Sequence, residues 1–406
     1  MAVGLKEPGE LFPVSGIRLA TAAAGIRYSN RDDMALLEIA EGSTIAAVFT
    51  LNKYCAAPVT LAKEHLAQTS SRALLINAGI ANAGTGKQGM DNARQSCTAV
   101  AESLGLFAEQ VLPFSTGVIG EQLPMTALLG GVGELADDLS DDNWLPAAKA
   151  IMTTDTQAKA VSQKLELDGQ TVTITGIAKG SGMICPNMAT MLSYVATDAN
   201  IDGELLQGFL SKANSASFNR ITVDSDTSTN DALILIATGQ SSAPPVTAQD
   251  SAAGQAFYLA LEQVLIKLAT AVVRDGEGAT KFVKVSVNGG VSESDCVTIA
   301  YSVAHSPLVK TALFASDPNW GRILAAIGKA PIKQLELDKV DIRINDLSLI
   351  ESGEPASSYT EAAGKAVFEQ QDITVAIDLN LGSADYHVWT SDLSHEYVTI
   401  NSDYRS

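Results

Sequence analysis

The chain has 406 residues, of which 46% are apolar and 18% are charged, and its formal net charge is −19 at pH 7. That length is ample for a large buried core and fits two or three domains, or one two-lobed unit, at about 150 residues per domain. Acidic residues outnumber basic ones by 46 to 27, with no Lys/Arg cluster, which argues against nucleic acid and anionic membranes as partners.

The cysteines are widely spaced and form no CxxC pair, which predicts a reducing compartment and excludes a disulfide scaffold or a zinc knuckle; they are Cys55, Cys97, Cys185 and Cys296. The first residues, MAVGLK, lack a basic segment followed by an apolar one, so we expect no signal peptide. The chain contains no run of about 18 apolar residues, the length that would predict a membrane span. We therefore expect a cytoplasmic globular protein.

In the first half of the chain, short apolar or alternating runs predict strands at 72–77, 171–175 and 191–195. After the first of these, apolar residues at helical spacing predict a helix that Asp91 caps. The residues around Gly84 and Gly86 predict a turn. They do not form a phosphate-binding loop, because Ala81 and Gln88 replace the glycine and hydroxyl residue that the motif requires.

In the second half, helical periodicity predicts helices over 205–213 and 257–272, and Ser306-Pro307 predicts an N-cap and first helical position. Further strands are expected at 232–237, 281–287, 340–344 and 373–379. The segment 239–249 fits either a linker or a surface loop. This dense mixture indicates an α/β sandwich whose topology the pattern leaves open.

Several common catalytic signatures are absent. The four histidines have no HExxH spacing, which argues against a zinc hydrolase, and no G-x-S-x-G is present. Cys185 beside Pro186 is a candidate thiol nucleophile, but no histidine lies near it in sequence, and a buried structural role is favoured.

The stretch 179–197 (KGSGMICPNMATMLSYVAT) combines a glycine-rich loop with a junction that runs directly into a strand. An internal threonine hydroxyl is a weak nucleophile without a neighbouring base. If the bond between Ala189 and Thr190 were cut, Thr190 would gain an α-amine with a reference pKa of about 7.7–8.0, which accepts the hydroxyl proton. One residue would then supply nucleophile and base. On the residues alone, an ordinary glycine loop entering a strand remains the favoured explanation.

This stretch resembles the self-cleavage region of the ornithine acetyltransferase (ArgJ) family, the bifunctional enzymes of arginine biosynthesis. Further segments resemble family signatures in the same order along the chain: 114–120 (FSTGVIG), 152–156 (MTTDT), 217–231 (SFNRITVDSDTSTND), 274–281 (RDGEGATK), 317–328 (DPNWGRILAAIG) and 400–406 (INSDYRS). Together they cover the chain from about residue 70 to its last residue. So many ordered matches make coincidence a poor explanation.

The resemblance implies a four-layer α/β/β/α sandwich of two mixed β-sheets flanked by helices, of the N-terminal-nucleophile type. It also implies self-cleavage between Ala189 and Thr190. The products would be an α chain of residues 1–189 and a β chain of residues 190–406, which together form one two-lobed unit and assemble as α2β2.

The resemblance further implies the roles of individual residues. Thr190 would be the nucleophile that carries the acetyl group, and Thr116 and Gly117 would form the oxyanion hole, where each donor is worth about 3 kcal/mol. The residues that bind the amino-acid substrate would be Thr153, Lys179, Thr190, Glu277, Asn401 and Ser406.

Alternatives remain for several of these residues. Thr154 competes with its neighbour Thr153 as the ligand, and Lys179 and Glu277 would otherwise pass for solvated surface charges. A C-terminal tail is ordinarily disordered, so a match that reaches the last residue implies that the tail folds back into the site.

A second set of acidic residues allows a metal site or a structural role. Asp224, Asp226 and Asp231 have the composition of a metal cluster, but capping of loops is favoured and no metal is expected. Ser225 stands where the family pattern has glycine, which would strain the loop if that position needs a positive φ.

The implied reaction is a two-step transfer of the acetyl group from N2-acetylornithine to glutamate through an acetyl-threonine, giving ornithine and N-acetylglutamate. No cofactor is expected, and acetyl-CoA as an additional donor stays open. One rival is an aminopeptidase or amidase with the same N-terminal-nucleophile chemistry. The other is an uncleaved, non-catalytic amino-acid-binding protein that acts as a sensor.

Overall fold

The computed structural model describes residues 2–185 and 191–404. Its strands are β1 Ile17–Ala22, β2 Met34–Ile39, β3 Thr44–Phe49, β4 Ala73–Ile80, β5 Val111–Val118, β6 Lys159–Leu167, β7 Gln170–Lys179, β8 Leu192–Thr197, β9 Ala232–Ala237, β10 Phe282–Gly290, β11 Asp341–Ile344, β12 Leu347–Glu351, β13 Glu354–Pro355, β14 Asp372–Asp378 and β15 Ala384–Ser391. Its α-helices are α1 Ala57–Leu66, α2 Gly86–Leu104, α3 Met125–Asp137, α4 Trp144–Ala150, α5 Gly203–Ala216, α6 Ala252–Arg274, α7 Glu293–Ala304, α8 Pro307–Phe314, α9 Trp320–Gly328, α10 Glu361–Phe368 and α11 His395–Ser402.

Two mixed sheets face each other. The first has the order β1-β2-β4-β5 and the second β3-β9-β8-β7-β6, and each contains one parallel pair, β4 with β5 and β8 with β9. One apolar cluster joins their inner faces, and in it Phe114 of β5 packs edge-to-face on Tyr194 of β8 at 5.2 Å between ring centroids. Strands buried on both faces are expected to be almost continuously apolar, and β4, β8 and β9 are buried at every position.

Helices cover the outer faces of both sheets, which gives the α/β/β/α layering. Apolar residues of α2 and α3 pack on the outer face of the first sheet, and those of α5 and α6 on that of the second. By length and composition α6 could span a membrane, but 56% of the relevant window is buried, and its apolar side forms the core with the second sheet.

A third sheet, of order β13-β12-β11-β14-β10-β15, packs with α7 to α10 around a separate apolar cluster. The sequence predicted three of its strands but not that they form their own sheet. The third sheet also contacts the second. Its residues Trp389 of β15 and Phe282 of β10 belong to the apolar core of the second sheet, and Ile221 forms a β-bridge with Trp389.

Most predicted elements are present, with one clear correction. The helix after β4 begins at Gly86, so Asp91 lies inside it and does not cap it. Gly84 and Gly86 have φ of +71° and +60°, and this tight entry starts the helix where the sequence suggested only a turn.

Two other local predictions can be compared directly. The Ser306 hydroxyl caps α8 through the Val309 N–H, as predicted. The segment 239–249 is a loop between β9 and α6, and Val246 in it is buried and bridges to Ile201.

Candidate active site

A cavity of about 270 Å³ lies where the ends of β5, β7, β8 and β9 meet between the two facing sheets. Its lining includes every predicted site residue that the structure describes: Thr116, Gly117, Thr153, Lys179, Glu277 and Asn401. The predicted residues Ala189, Thr190 and Ser406 lie outside the described residues. Met191 lines the cavity as well.

Thr116 and Gly117, the predicted oxyanion-hole pair, lie at an irregular strand end. The pairing of β4 with β5 shifts register between Gly79 and Ile80, opposite Gly117, and such irregularities turn the backbone away from the regular ladder. Gly117 has φ of +130°, and a Cβ there would lie 2.1 Å from the Gly79 carbonyl carbon. Only glycine fits at this position. Thr116 is 9% exposed and points its hydroxyl at Lys179.

Lys179, the last residue of β7, is buried at the cavity wall. Its ammonium donates hydrogen bonds to the Thr116 hydroxyl at 3.1 Å and to the Thr153 hydroxyl at 2.8 Å. This contact distinguishes Thr153 from Thr154, although both line the cavity. Burial lowers the pKa of Lys179, and the nearby carboxylate of Asp155 opposes that shift.

Behind Lys179 lies a buried charge network that the sequence did not reveal. Lys159 donates to Asp155 and to Asp275 at 2.7 Å each, and all three side chains have at most 1% exposure. Burial alone would raise the pKa of Asp155, but the charges of Lys159 and Lys179 outweigh it and hold that pKa below its usual range. Asp155 also accepts hydrogen bonds from the N–H groups of Thr153 and Gly180, at 3.0 and 2.7 Å.

The anionic side of the cavity depends on the end of the chain. Glu277 is 6% exposed, and its carboxylate accepts a hydrogen bond from the Asn401 amide at 2.7 Å. A Cβ on Gly182 would lie 2.3 Å from the same carboxylate, so this glycine makes room for it. Asn401 belongs to α11, and Tyr404 beyond it also lines the cavity. The tail therefore folds back onto the site.

The acidic residues 224–231 divide into two kinds. Asp224 accepts hydrogen bonds from the N–H groups of Met183, Ile184 and Asp226, so it caps loops. Ser225 has φ of +67°, which explains why glycine suits that position. Within residues 2–185 and 191–404, no group of three or more His, Cys, Asp or Glu side chains is arranged to hold a metal ion.

Asp231, by contrast, caps nothing with its second oxygen. It is 3% exposed, lines the cavity, and its Oδ2 has no hydrogen-bond partner among the described residues. Like Asp155 and Asp275, it lies inside a matched motif, which is the signal that could have identified it from the sequence.

Cys185 is buried, and its Sγ lies 3.8 Å from His305 Nε2. Burial raises the pKa of the thiol to about 11 and lowers the pKa of the imidazole to about 4. Both groups are therefore neutral at pH 7, and the pair is not an activated thiolate.

The cavity thus brings together the threonine–glycine pair, a lysine and a glutamate at the start of β8. The sequence model of the ArgJ family matches residues 18–406. The chain belongs to the ArgJ family. The arginine biosynthesis bifunctional protein ArgJ of Pseudomonas fluorescens is 50% identical over 406 residues, and that of Pseudomonas syringae pv. tomato is 51% identical, each covering 100% of both chains.

A crystal structure of the arginine biosynthesis bifunctional protein ArgJ from Bacillus halodurans is 38% identical, with a TM-score of 0.50. The match covers 52% of this chain and 99% of that one. The predicted family and the α/β class of the fold are confirmed, and the chain is an enzyme of the ArgJ family. The roles of the individual cavity residues stay predictions.

Proposed function

We propose that this chain moves the acetyl group from N2-acetylornithine to glutamate through an acetyl ester on Thr190. Its relatives at 50–51% identity over the full length are bifunctional proteins of arginine biosynthesis. The observation that carries the proposal is the cavity itself. One wall presents Thr116 and Gly117, and Lys179 and Glu277 supply one charge of each sign for the carboxylate and amine of an amino acid.

The proposed reaction begins with a cut between Ala189 and Thr190 that gives chains 1–189 and 190–406. The length of a related chain supports a cut at this position. The Bacillus halodurans chain is matched over 99% of its length by 52% of the present one, so it is about half as long. One product of a cut near the middle would have that length.

After the cut, the Thr190 α-amine takes the hydroxyl proton while the oxygen attacks the acetyl carbonyl. Negative charge then builds on the carbonyl oxygen, where the Thr116 hydroxyl and the Gly117 N–H would stabilise it. The amine of ornithine takes up the proton as it leaves. Glutamate then occupies the same cavity, and its neutral α-amine attacks the ester. Each half-reaction breaks one acyl bond and forms one.

Three further features belong to the proposal. Two copies of each product chain assemble as α2β2, in the cytoplasm. No cofactor takes part, and acetyl-CoA is an additional donor to be tested.

The decisive experiment combines processing with turnover. The purified chain is examined by denaturing gel and N-terminal sequencing, then incubated with N2-acetylornithine in the presence and absence of glutamate. We expect two fragments, the second beginning at Thr190, and ornithine release that requires glutamate beyond the first turnover. Thr190→Ala should give one uncut chain.

Other outcomes favour the rivals. Continuous acetate release without glutamate would indicate the hydrolase. An uncut chain that binds ornithine without turnover would indicate the sensor.

A further inference from the structure

Asp231 lines the cavity, and its buried Oδ2 has no hydrogen-bond partner among the described residues. Leaving a buried polar group unsatisfied costs about 1–3 kcal/mol. Such a group in a native protein needs an explanation, and a catalytic role is one of those known. The second cavity carboxylate, Glu277, already accepts the Asn401 amide.

The position of Asp231 is fixed by the strand that follows it. The N–H of Ala232, the first residue of β9, donates to the carbonyl of Met191 at 3.0 Å, and Ala232 pairs with Leu192 of β8. Asp231 therefore lies beside residue 191, one position after the proposed nucleophile. The N–H of Thr50 fixes its backbone by donating to the Asp231 carbonyl at 3.0 Å.

The groups around Asp231 favour a carboxyl group that holds its proton. Burial raises the pKa of Asp231 well above its usual value, and the Ser228 hydroxyl and the charge of Lys179 oppose that shift only in part. Among the described residues, the other titratable side chains lining the cavity are Glu277 and Tyr404, and neither is a cation. Lys179 itself shares Asp155 with Lys159.

The proposed reaction has a proton balance that needs such a group. In the first half-reaction the threonine ester forms and ornithine departs. The threonine hydroxyl supplies the one proton that makes a neutral ornithine α-amine, so ornithine needs a second proton to leave as an α-ammonium. In the second, glutamate arrives as an α-ammonium and must lose one proton before its lone pair attacks the ester. The protons taken and returned are equal in number.

We propose that Asp231 stores this proton between the two half-reactions, a role that rests on the proposed function. In the free enzyme Asp231 is a neutral acid. It gives its proton to the departing α-amine and is a carboxylate in the acetyl-enzyme. It then takes a proton from the α-ammonium of glutamate, which frees the nitrogen lone pair for attack. The acetyl group moves, no oxidation occurs, and the site exchanges no net proton with water.

The test counts protons in a single turnover. Processed enzyme is mixed with N2-acetylornithine, without glutamate, in weak buffer with a pH indicator. The pH is about 6.5, below the reference pKa of about 7.7–8.0 of a chain-terminal α-amine, so the more basic α-amine of free ornithine leaves protonated. The acetyl-enzyme is counted by the mass of the fragment that begins at Thr190.

Wild-type enzyme should take almost no proton from solution, and Asp231→Asn should take about one per acetyl group formed. Asp231→Asn should also slow the glutamate half-reaction about 100-fold or more, because it lacks the proton acceptor.

The matched control is Asp198→Asn. Asp198, directly after β8, is also a buried carboxyl group with a raised pKa. It lies outside the cavity and accepts a hydrogen bond from the Thr173 N–H. This control should behave as the wild type does. If Asp231→Asn fails to fold or to process, the wild type alone decides, since infrared spectra should show a protonated carboxyl band that disappears on acetylation.

An acetyl-enzyme that forms in the wild type with uptake of about one proton, or with that band unchanged, would overturn the role of Asp231 and leave the proposed function standing. If no acetyl-enzyme forms in processed wild type, the proposed function itself fails.

Discussion

Lys159 holds two carboxylates in the core beside the cavity, and its removal tests the charge network directly. Lys159→Met keeps most of the side-chain volume but leaves Asp155 and Asp275 without their shared cation at 2.7 Å. Breaking a buried ion pair by removing one partner costs about 3–5 kcal/mol, because the remaining charge is left uncompensated. We expect a loss in that range, since backbone N–H groups still donate to both carboxylates.

The assay is urea unfolding at several pH values, with Lys164→Met as the control. Lys164 is on the same strand, is exposed, and its ammonium lies 3.8 Å from the ring centroid of Phe12. An exposed contact of this kind is worth about 0.5–1 kcal/mol. A Lys159→Met variant destabilised by no more than this control would contradict the assignment of a buried, charged network.

The dependence on pH gives a second check. In the wild type the pKa of Asp155 is lowered, so its contribution is present above the unfolded value of about 3.9 and is lost only as the pH falls below it. In the variant, the pKa of one of the two carboxyl groups that have lost Lys159 should rise above its value in the unfolded chain. The folded chain then binds more protons than the unfolded chain, and its stability rises as the pH falls. The difference in the free energy of unfolding between wild type and variant should decrease from about pH 7 to about pH 4. A constant difference would refute the reasoning.

Three further predictions concern the cavity wall and the third sheet. Thr116→Val should lower the rate of acetyl-enzyme formation about 100- to 1,000-fold, measured by mass, because it removes one oxyanion donor; an unchanged rate would rule out that role. Gly182→Ala should displace only the flexible Glu277 carboxylate, which should raise the KM for N2-acetylornithine with little loss of stability. In Gly117→Ala the new Cβ would lie 2.1 Å from backbone, which should reduce the soluble yield. Similar behaviour of the two variants would count against this geometry. Burial lowers the pKa of Lys310 to about 8, so at this residue the unfolded chain binds more protons than the folded chain. The free energy of unfolding of the wild type in urea, taken relative to that of Lys310→Met, should therefore rise by about 3 kcal/mol between about pH 8 and about pH 10.5; a constant difference would contradict this.

How far the sequence leads depends on the kind of signal. Strands such as β9, whose six residues are all buried, are located to the residue, because a run of only six apolar residues bounded by polar ones is too short for a core helix and fits a buried strand. The start of α2 was misplaced because Gly84 and Gly86 indicate a turn, and their positive φ serves to start the helix. The third sheet was missed because strand pairing over long distances leaves no local pattern.

The site divides in the same way. Lys179 and Glu277 were found through motifs that resemble a family, and the structure brings them to one cavity. Lys159 was missed because it begins an amphipathic strand, where a lysine ordinarily faces solvent. Its burial follows from Asp275, more than a hundred residues later, and from Asp155. Only the folded chain reveals that these charges compensate one another.

That compensation determines what Lys179 has to offer a substrate. A lone buried lysine loses its charge, because burial disfavours the ammonium form. A lysine paired closely with its own aspartate keeps its charge but has its donors occupied. Asp155 lies 2.7 Å from Lys159 and 3.8 Å from Lys179, so its main partner is Lys159, while its charge still supports the ammonium of Lys179. Two of the three N–H groups of Lys179 point to Thr116 and Thr153. In the proposed reaction the third would donate to the α-carboxylate that acetylornithine and glutamate have in common, which is the feature that one cavity must recognise if it is to serve both half-reactions.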